Sequence, residues 1–460
     1  MRFRAAGLLL MASVAACGGP APQPLDPARM ESEFRARRLD DPEFVAWLEA
    51  RGVPKASVWT LDALTLAAFY FHPDLDVVRA RLLAARGSET TAGEVPNPVL
   101  GASLEKVMSG TPAGVSPWVY GLSLQMPLDF LWKRGYRIDE ARAKIQGAHL
   151  ELAEAAWQIR HRLRAALLED FLAQREIDVR TRELEARREL SAAAATLLAA
   201  GEASRLEADR ARVELAGAEI GLEESRGRVA AVRAALASAV GVPLAALQDL
   251  RVEWATLDSP PGEPAALQEA GLLNRLDVRR RLAEYAASEA VLGLELAKRW
   301  PDISLGPGYL YDQGDRKFTL GLSVTLPVFN QNGGAIEEAE ARRKEAAARF
   351  LALQARAIGE FDEASARYRA GRAQASRTRD AMEAVERRVE GVRRAVELGD
   401  ADLVALLGVR IERLAVEAAR LDALRRAQEA LGALEDAVQR PIDGTLPGFR
   451  FPDEIEKGIR

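Results

Sequence analysis

The sequence predicts a mainly α-helical fold with a small β part, built as an internal duplication of one hairpin-plus-long-helix unit. Three observations carry this. Gly121-Leu122-Ser123-Leu124-Gln125-Met126-Pro127-Leu128 returns 200 positions later as Gly321-Leu322-Ser323-Val324-Thr325-Leu326-Pro327-Val328. Two stretches of 115 and 113 residues, between Pro127 and Pro243 and between Pro327 and Pro441, contain no proline. Just ahead of each stretch the apolar period changes from helical to alternating.

The match continues beyond the glycine-leucine segment with a two-residue deletion. Ile138-Asp139-Glu140-Ala141 corresponds to Ile336-Glu337-Glu338-Ala339, and Gly201 to Gly399. A repeat of this length is sought first because it decides the architecture. Proline breaks helices and is excluded from central strands, so its matched absence marks matched helices. Both stretches are rich in Ala, Leu, Glu and Arg, all strong helix formers. Each is divided by a turn, Leu198 to Ser204 and Leu398 to Asp402, where glycine ends one helix and Ser204 or Asp402 caps the next. The first helices of the pairs are expected over 133–199 and 334–398, roughly 100 Å each at about 1.5 Å per residue. The returning helices, 204–240 and 402–438, are half as long. Two further half-length helices, 60–86 and 264–298, are available to stack end to end with them.

Strands are expected over about 97–108, 117–128, 300–311 and 317–328. Trp118, Tyr120, Leu122 and Leu124 alternate with smaller or more polar residues, as do Phe318, Leu320, Leu322 and Val324. That spacing puts the apolar set on one face, and the lengths suit transmembrane strands. Ordinary hairpins packed on a water-soluble core are the alternative, although neither hairpin has another sheet in the sequence to cover it. Four strands cannot close a barrel, so a lipid-facing sheet requires several copies of the chain.

The chain opens with Arg2 and Arg4 ahead of a short apolar stretch, the pattern of an export signal over 1–16. That stretch is too short to span a bilayer. Val14-Ala15-Ala16-Cys17 resembles the bacterial lipobox, which makes Cys17 a lipidation candidate; cleavage near an unmodified cysteine is the alternative. Cys17 is the only cysteine, which excludes a disulfide framework and a thiolate metal site. A formal charge of −5 argues against a nucleic-acid partner. His72, His149 and His161 lack the spacing of a helical metal pair, and no HExxH, Walker or GxSxG pattern occurs. No catalytic residue, cofactor or metal site is expected, and the chain is read as not an enzyme.

The two hairpin-plus-helix repeats, Pro96-Asn97-Pro98, the run from Trp300 to Tyr309 and the run from Leu326 to Gly334 resemble the outer-membrane efflux protein (TolC) family, from about Trp59 to Pro441. Within it the chain looks most like the outer-membrane lipoproteins of heavy-metal, cobalt-zinc-cadmium type RND efflux. It departs from that branch where Leu131-Trp132 precede Lys133-Arg134 in place of two glycines. The resemblance implies a homotrimer, with a 12-stranded transmembrane β-barrel standing on a long α-helical periplasmic tunnel. It also implies a periplasmic adaptor and an inner-membrane pump, the passive conduction of substrate, and an outer-membrane location with a large periplasmic part. The divisions it suggests are a signal over 1–16, a lipidated tether and belt over 17–58, repeats over 59–262 and 263–441, and a C-terminal belt over 442–460.

By the same resemblance, Leu198, Gly201, Ser204, Leu398, Gly399 and Asp402 form the adaptor-contacting tip. Helix capping is their alternative role. The acidic gate positions of some members are Ala405 and Gly408 here, which leaves Asp400 and Asp402 as the gate candidates. A duct for drugs or for type I secretion, and a periplasmic structural lipoprotein that never crosses the membrane, are the rival readings.

Overall fold

In a computed structural model, residues 21–51, 58–110, 114–128, 130–248, 250–254, 271 and 274–442 are described. Cys17, the expected signal, the first part of the tether, 255–264 and the C-terminal belt beyond 442 lie outside the described residues.

The proline-free stretches form two helical hairpins. Short helices α1 (Pro27–Ala36) and α2 (Pro42–Glu49) come first, then α3 (Leu61–Phe71) and α4 (Pro73–Gly93). Strands β1 (Val99–Lys106) and β2 (Trp118–Pro127) lead into α5 (Phe130–Ala200), which returns as α6 (Arg205–Val240). The second unit repeats this order with α7 (Leu276–Ala297), β3 (Ile303–Asp312), β4 (Asp315–Val324), α8 (Gly333–Leu398) and α9 (Leu403–Val438). The long helices α5 and α8 have 71 and 66 residues.

Two expectations are corrected. The helix expected over 60–86 is two helices, because Pro73 cannot donate an amide hydrogen bond and clashes with a continuing turn. His72 ends α3 and caps α4, its Nδ1 accepting from the Asp74 amide at 3.2 Å. The fourth strand, expected over 317–328, is Asp315–Val324: it ends where its partner β3 begins, Ile303 lying opposite Val324.

α5 packs against α4 and α6 on one side and α7 and α9 on the other, while α8 packs against α7 and α9. The wall is therefore four columns wide: α4 with α6, then α5, then α7 with α9, then α8. The first and third columns are composite, and each joint is fastened by an arginine. At the first, the α6 terminus turns at Gly241 with φ 85°. A Cβ there would lie 2.8 Å from the His72 Cα, so only glycine admits the approach. Arg37 Nη1 donates to the carbonyls of Phe71 and Gly241 at 2.7 and 2.9 Å. At the second joint, Gln439 Oε1 accepts from the Leu276 amide at 2.6 Å, and Arg275 donates to the Ala437 carbonyl at 2.8 Å. Each places a helix C-terminus against the next helix's N-terminus, the favourable alignment of two macrodipoles.

The main core lies where α2, α3, α5 and the end of α6 meet, around Phe44, Leu64, Phe69, Ile159, Leu163 and Leu236. The segment after α6 folds back onto it, bridging Trp59 to Val252. Arg233 holds that segment by donating to the Leu247 and Leu250 carbonyls and to the buried Asp170. A buried polar seam joins the repeats. Arg160 and Arg164 of α5 lie 3.2 and 3.3 Å from Glu435 of α9, and Arg164 also donates to the Gln428 carbonyl. Such a seam adds little net stability over apolar packing, yet removing one partner strands a buried charge at a cost of about 3–5 kcal/mol.

Burial pushes the His72 imidazole below its ordinary value, with Asp74 opposing and Arg162 and Arg37 reinforcing the shift. Folding thus favours the neutral ring. Its contribution to stability is complete above the unfolded value of about 6.5 and is lost as pH falls through the lowered folded value. His72→Asn keeps a cap acceptor, so it is expected to cost under about 1 kcal/mol at pH 7 and to flatten the acid-side decline in thermal stability. An unchanged decline would remove His72 from that role.

Candidate functional site

The register of the sheet sorts its side chains. The four strands pair in the order β1-β2-β3-β4, all antiparallel. Because successive residues alternate faces, Leu100, Ala102 and Leu104 share a face with Trp118, Tyr120, Leu122 and Leu124. Tyr120 lies opposite Tyr311 and Leu122 opposite Tyr309, and these carry the same face across to Phe318, Leu320, Leu322 and Val324. All eight side chains singled out on the second and fourth strands stand together. Phe318, Leu320 and Leu322 are 77, 65 and 67 % exposed, so no described residue covers this face. Tyr120 and Tyr311 stack on it, ring centroids 4.6 Å apart.

The opposite face is small and polar, with Gly101 opposite Ser123, Ser103 opposite Gly121, Gly306 opposite Gly321 and Gly308 opposite Thr319. A Cβ on Gly101 would come 2.8 Å from the Ser123 hydroxyl, and one on Gly308 2.6 Å from that of Thr319. The Gly101–Ser123, Ser103–Gly121 and Gly308–Thr319 pairs each have room for one side chain, and the Gly306–Gly321 pair carries none. β3 turns into β4 through Gln313 and Gly314, at φ 52° and 121°, in the two-residue hairpin that positive φ favours.

Polar contacts fix the passage from strand to helix. Lys133 pairs with Asp302, and Arg134 donates to the Gly93 carbonyl at 2.6 Å. Asn332, in the left-handed region at φ 62°, donates to the Glu295 backbone and carboxylate before α8 begins. The Lys-Arg pair thus ties the start of α5 to α4 and to the loop before β3.

At the far end of the wall the two turns have the same geometry. Glu202 N–H reaches the Leu197 carbonyl and Gly201 N–H that of Leu198; Asp400 and Gly399 repeat these bonds to Ala395 and Val396. Gly201 and Gly399 have φ of 79° and 81°, which closes a Schellman turn without strain. Ser204 forms a capping box with Glu207. Asp402 Oδ1 accepts from the Ala405 amide at 2.7 Å, so one gate candidate already serves as a cap, while Asp400 is exposed with its backbone engaged. Leu198 and Leu398 are exposed beside the turns. The antiparallel pairing of α5 with α9, through Arg164 to Gln428 and Arg182 to Glu417, carries both tips to the same end.

Among the described residues no group of His, Cys, Asp and Glu could hold a metal ion. No described helix is long and apolar enough to cross a membrane. Sequence reasoning singled out the second and fourth strands and passed over Leu100 and Leu104, whose alternation is diluted by Gly101 and Ala102. It also missed Lys106 and Arg316, which no apolar period marks.

Relatives share this architecture. The chain is 26% identical over 296 residues to the cobalt-zinc-cadmium resistance protein CzcC of Cupriavidus metallidurans, covering 64% of this chain and 69% of that protein. The Campylobacter jejuni CmeC outer membrane channel superposes with a TM-score of 0.68 at 15% identity, covering 96% of this chain and 95% of that one. The Vibrio cholerae outer membrane protein VceC superposes with a TM-score of 0.67 at 21% identity, covering 87% and 99%. The family described as outer membrane efflux protein matches residues 70–242 and 267–438, most of both repeats. With its duplicated helical wall and four-stranded sheet, the chain belongs to the outer membrane efflux protein family.

Proposed function

We propose that this chain is the exit duct of a tripartite RND-type efflux system: a homotrimer whose twelve strands cross the outer membrane and whose helices form a periplasmic tunnel. The observation that carries this is the sheet with two unpaired edges and an uncovered apolar face. In hydrocarbon, unpaired backbone groups cost several kcal/mol each, so edges β1 and β4 must meet neighbouring copies. The helical wall has edges to match. Leu206, Val213 and Ile220 recur every seven residues on α6 and are 79, 72 and 62 % exposed. Leu351 and Ile358 are exposed on α8 at the other side.

In this reading Trp118, Tyr120, Leu122, Leu124, Phe318, Leu320, Leu322 and Val324 face lipid, and the glycine-hydroxyl face lines the passage. Cys17 carries the lipid anchor. Leu198, Gly201, Ser204, Leu398, Gly399 and Asp402 present the tip to the adaptor, and Asp400 with Asp402 borders the entrance. The energy comes from the inner-membrane pump. Divalent heavy-metal cations are the substrate class, by likeness to the cobalt-zinc-cadmium resistance protein.

Three measurements test this. Leu320→Cys should resist a water-soluble maleimide in bilayers while Thr319→Cys reacts, and Val213→Asp with Ile220→Asp should break a three-chain assembly into single chains. Equal labelling, or a wild-type chain that stays single in mild detergent, would overturn the duct. Deleting the gene should lower tolerance to cobalt, zinc or cadmium and leave drug tolerance unchanged. Lost drug tolerance alone would overturn the substrate class and leave the duct standing.

A further inference from the structure

The end of the sheet farthest from the helices separates its charges by face. Lys106 shares the apolar face with Leu104 and Leu100, and Arg316 shares it with Phe318 and Leu320. They occupy the last two register rows of that face, beside Trp118 and Tyr311. The carboxylates of this end stand on the other face, where Glu105, Val119, Asp312 and Asp315 form one continuous row. Lys317 is on that face too and donates to Asp312 at 2.7 Å. Among the described residues neither Lys106 nor Arg316 is held in an ion pair, and the Lys106 ammonium lies 5.6 Å from the Trp118 ring centre.

A cation on a lipid-facing surface is costly unless it reaches the interface and meets a counter-charge there. Apolar rows below, aromatic rings level with the cations and acids turned away leave one complementary occupant. We propose that Lys106 and Arg316 bind the phosphate groups of lipid headgroups in the outer leaflet, where three copies place six cations around the barrel. Phosphate supplies the charge-assisted hydrogen bonds that a guanidinium and an ammonium make best. A headgroup with two phosphates engages both residues and a zwitterionic one is held weakly. This rests on the duct reading, since only a membrane-inserted barrel presents this face to lipid.

The test uses the full-length protein in detergent and in vesicles of phosphatidylethanolamine containing diphosphoryl lipid A. Wild type is expected to retain diphosphoryl lipid A through delipidating washes at several times the level of phosphatidylethanolamine, and to release it as salt is raised. Lys106→Gln with Arg316→Gln should abolish that preference, and Lys317→Gln, on the opposite face, should keep it. Heat-modifiable migration shows that each variant is folded. Salt-independent retention by wild type, or equal loss in Lys317→Gln, would overturn the proposal. Should wild type insert and show no preference, this inference fails and the duct survives. Should it never enter the bilayer, both fail.

Discussion

Among the described residues, the four-stranded antiparallel sheet leaves the outer backbone groups of β1 and β4 without partners, and the rest of the structure is arranged around that constraint. In water an edge strand is a liability, and in hydrocarbon it is untenable. The same boundary continues downward. β1 follows α4 and β4 precedes α8, and these helices belong to the two outermost columns of the wall. Each edge of the sheet therefore runs into an edge of the helical layer, and one copy is a strip of wall with a seam on either side. A strip whose two seams differ joins head to tail, which gives a ring when the rotation closes.

The strip keeps its length through two devices. α5 and α8 are unbroken, while the columns beside them are assembled from pairs of helices meeting end to end. The joints are chemically alike and differ in origin. Arg37 comes from the segment ahead of the first repeat, whereas Arg275 lies immediately before α7 itself. Between the repeats, Arg160, Arg164 and Glu435 set the register of α5 against α9, since each buried charge has its partner at one level only. Such a seam is better suited to specifying alignment than to adding stability.

Much of this was legible in the residues. Matched glycines and prolines located the long helices within a few residues of their ends, because positive φ at Gly201 and Gly399 and the missing amide of proline act locally. Alternation located the apolar face, because a strand's period of two leaves no freedom about which side each residue takes. The break at His72 was not legible: Pro73 is as much at home in a helix's first turn as beyond its end. The joints were hidden because they depend on residues more than 160 positions apart, as Arg37 and Gly241 are. Ser204 and Asp402 were legible as caps, and the structure accounts for their backbone-capping bonds. The adaptor role rests on the family resemblance and on the exposed leucines beside them.

The central claim is that the sheet's edges are paired between copies, and amide hydrogen exchange on the detergent-solubilised assembly reads it directly. The account predicts that β1 and β4 exchange as slowly as the interior strands β2 and β3, because every ladder position is then hydrogen-bonded. Rapid exchange along β1 and β4 beside protected β2 and β3 would mean that the edges stay open, and the closed barrel would have to be given up.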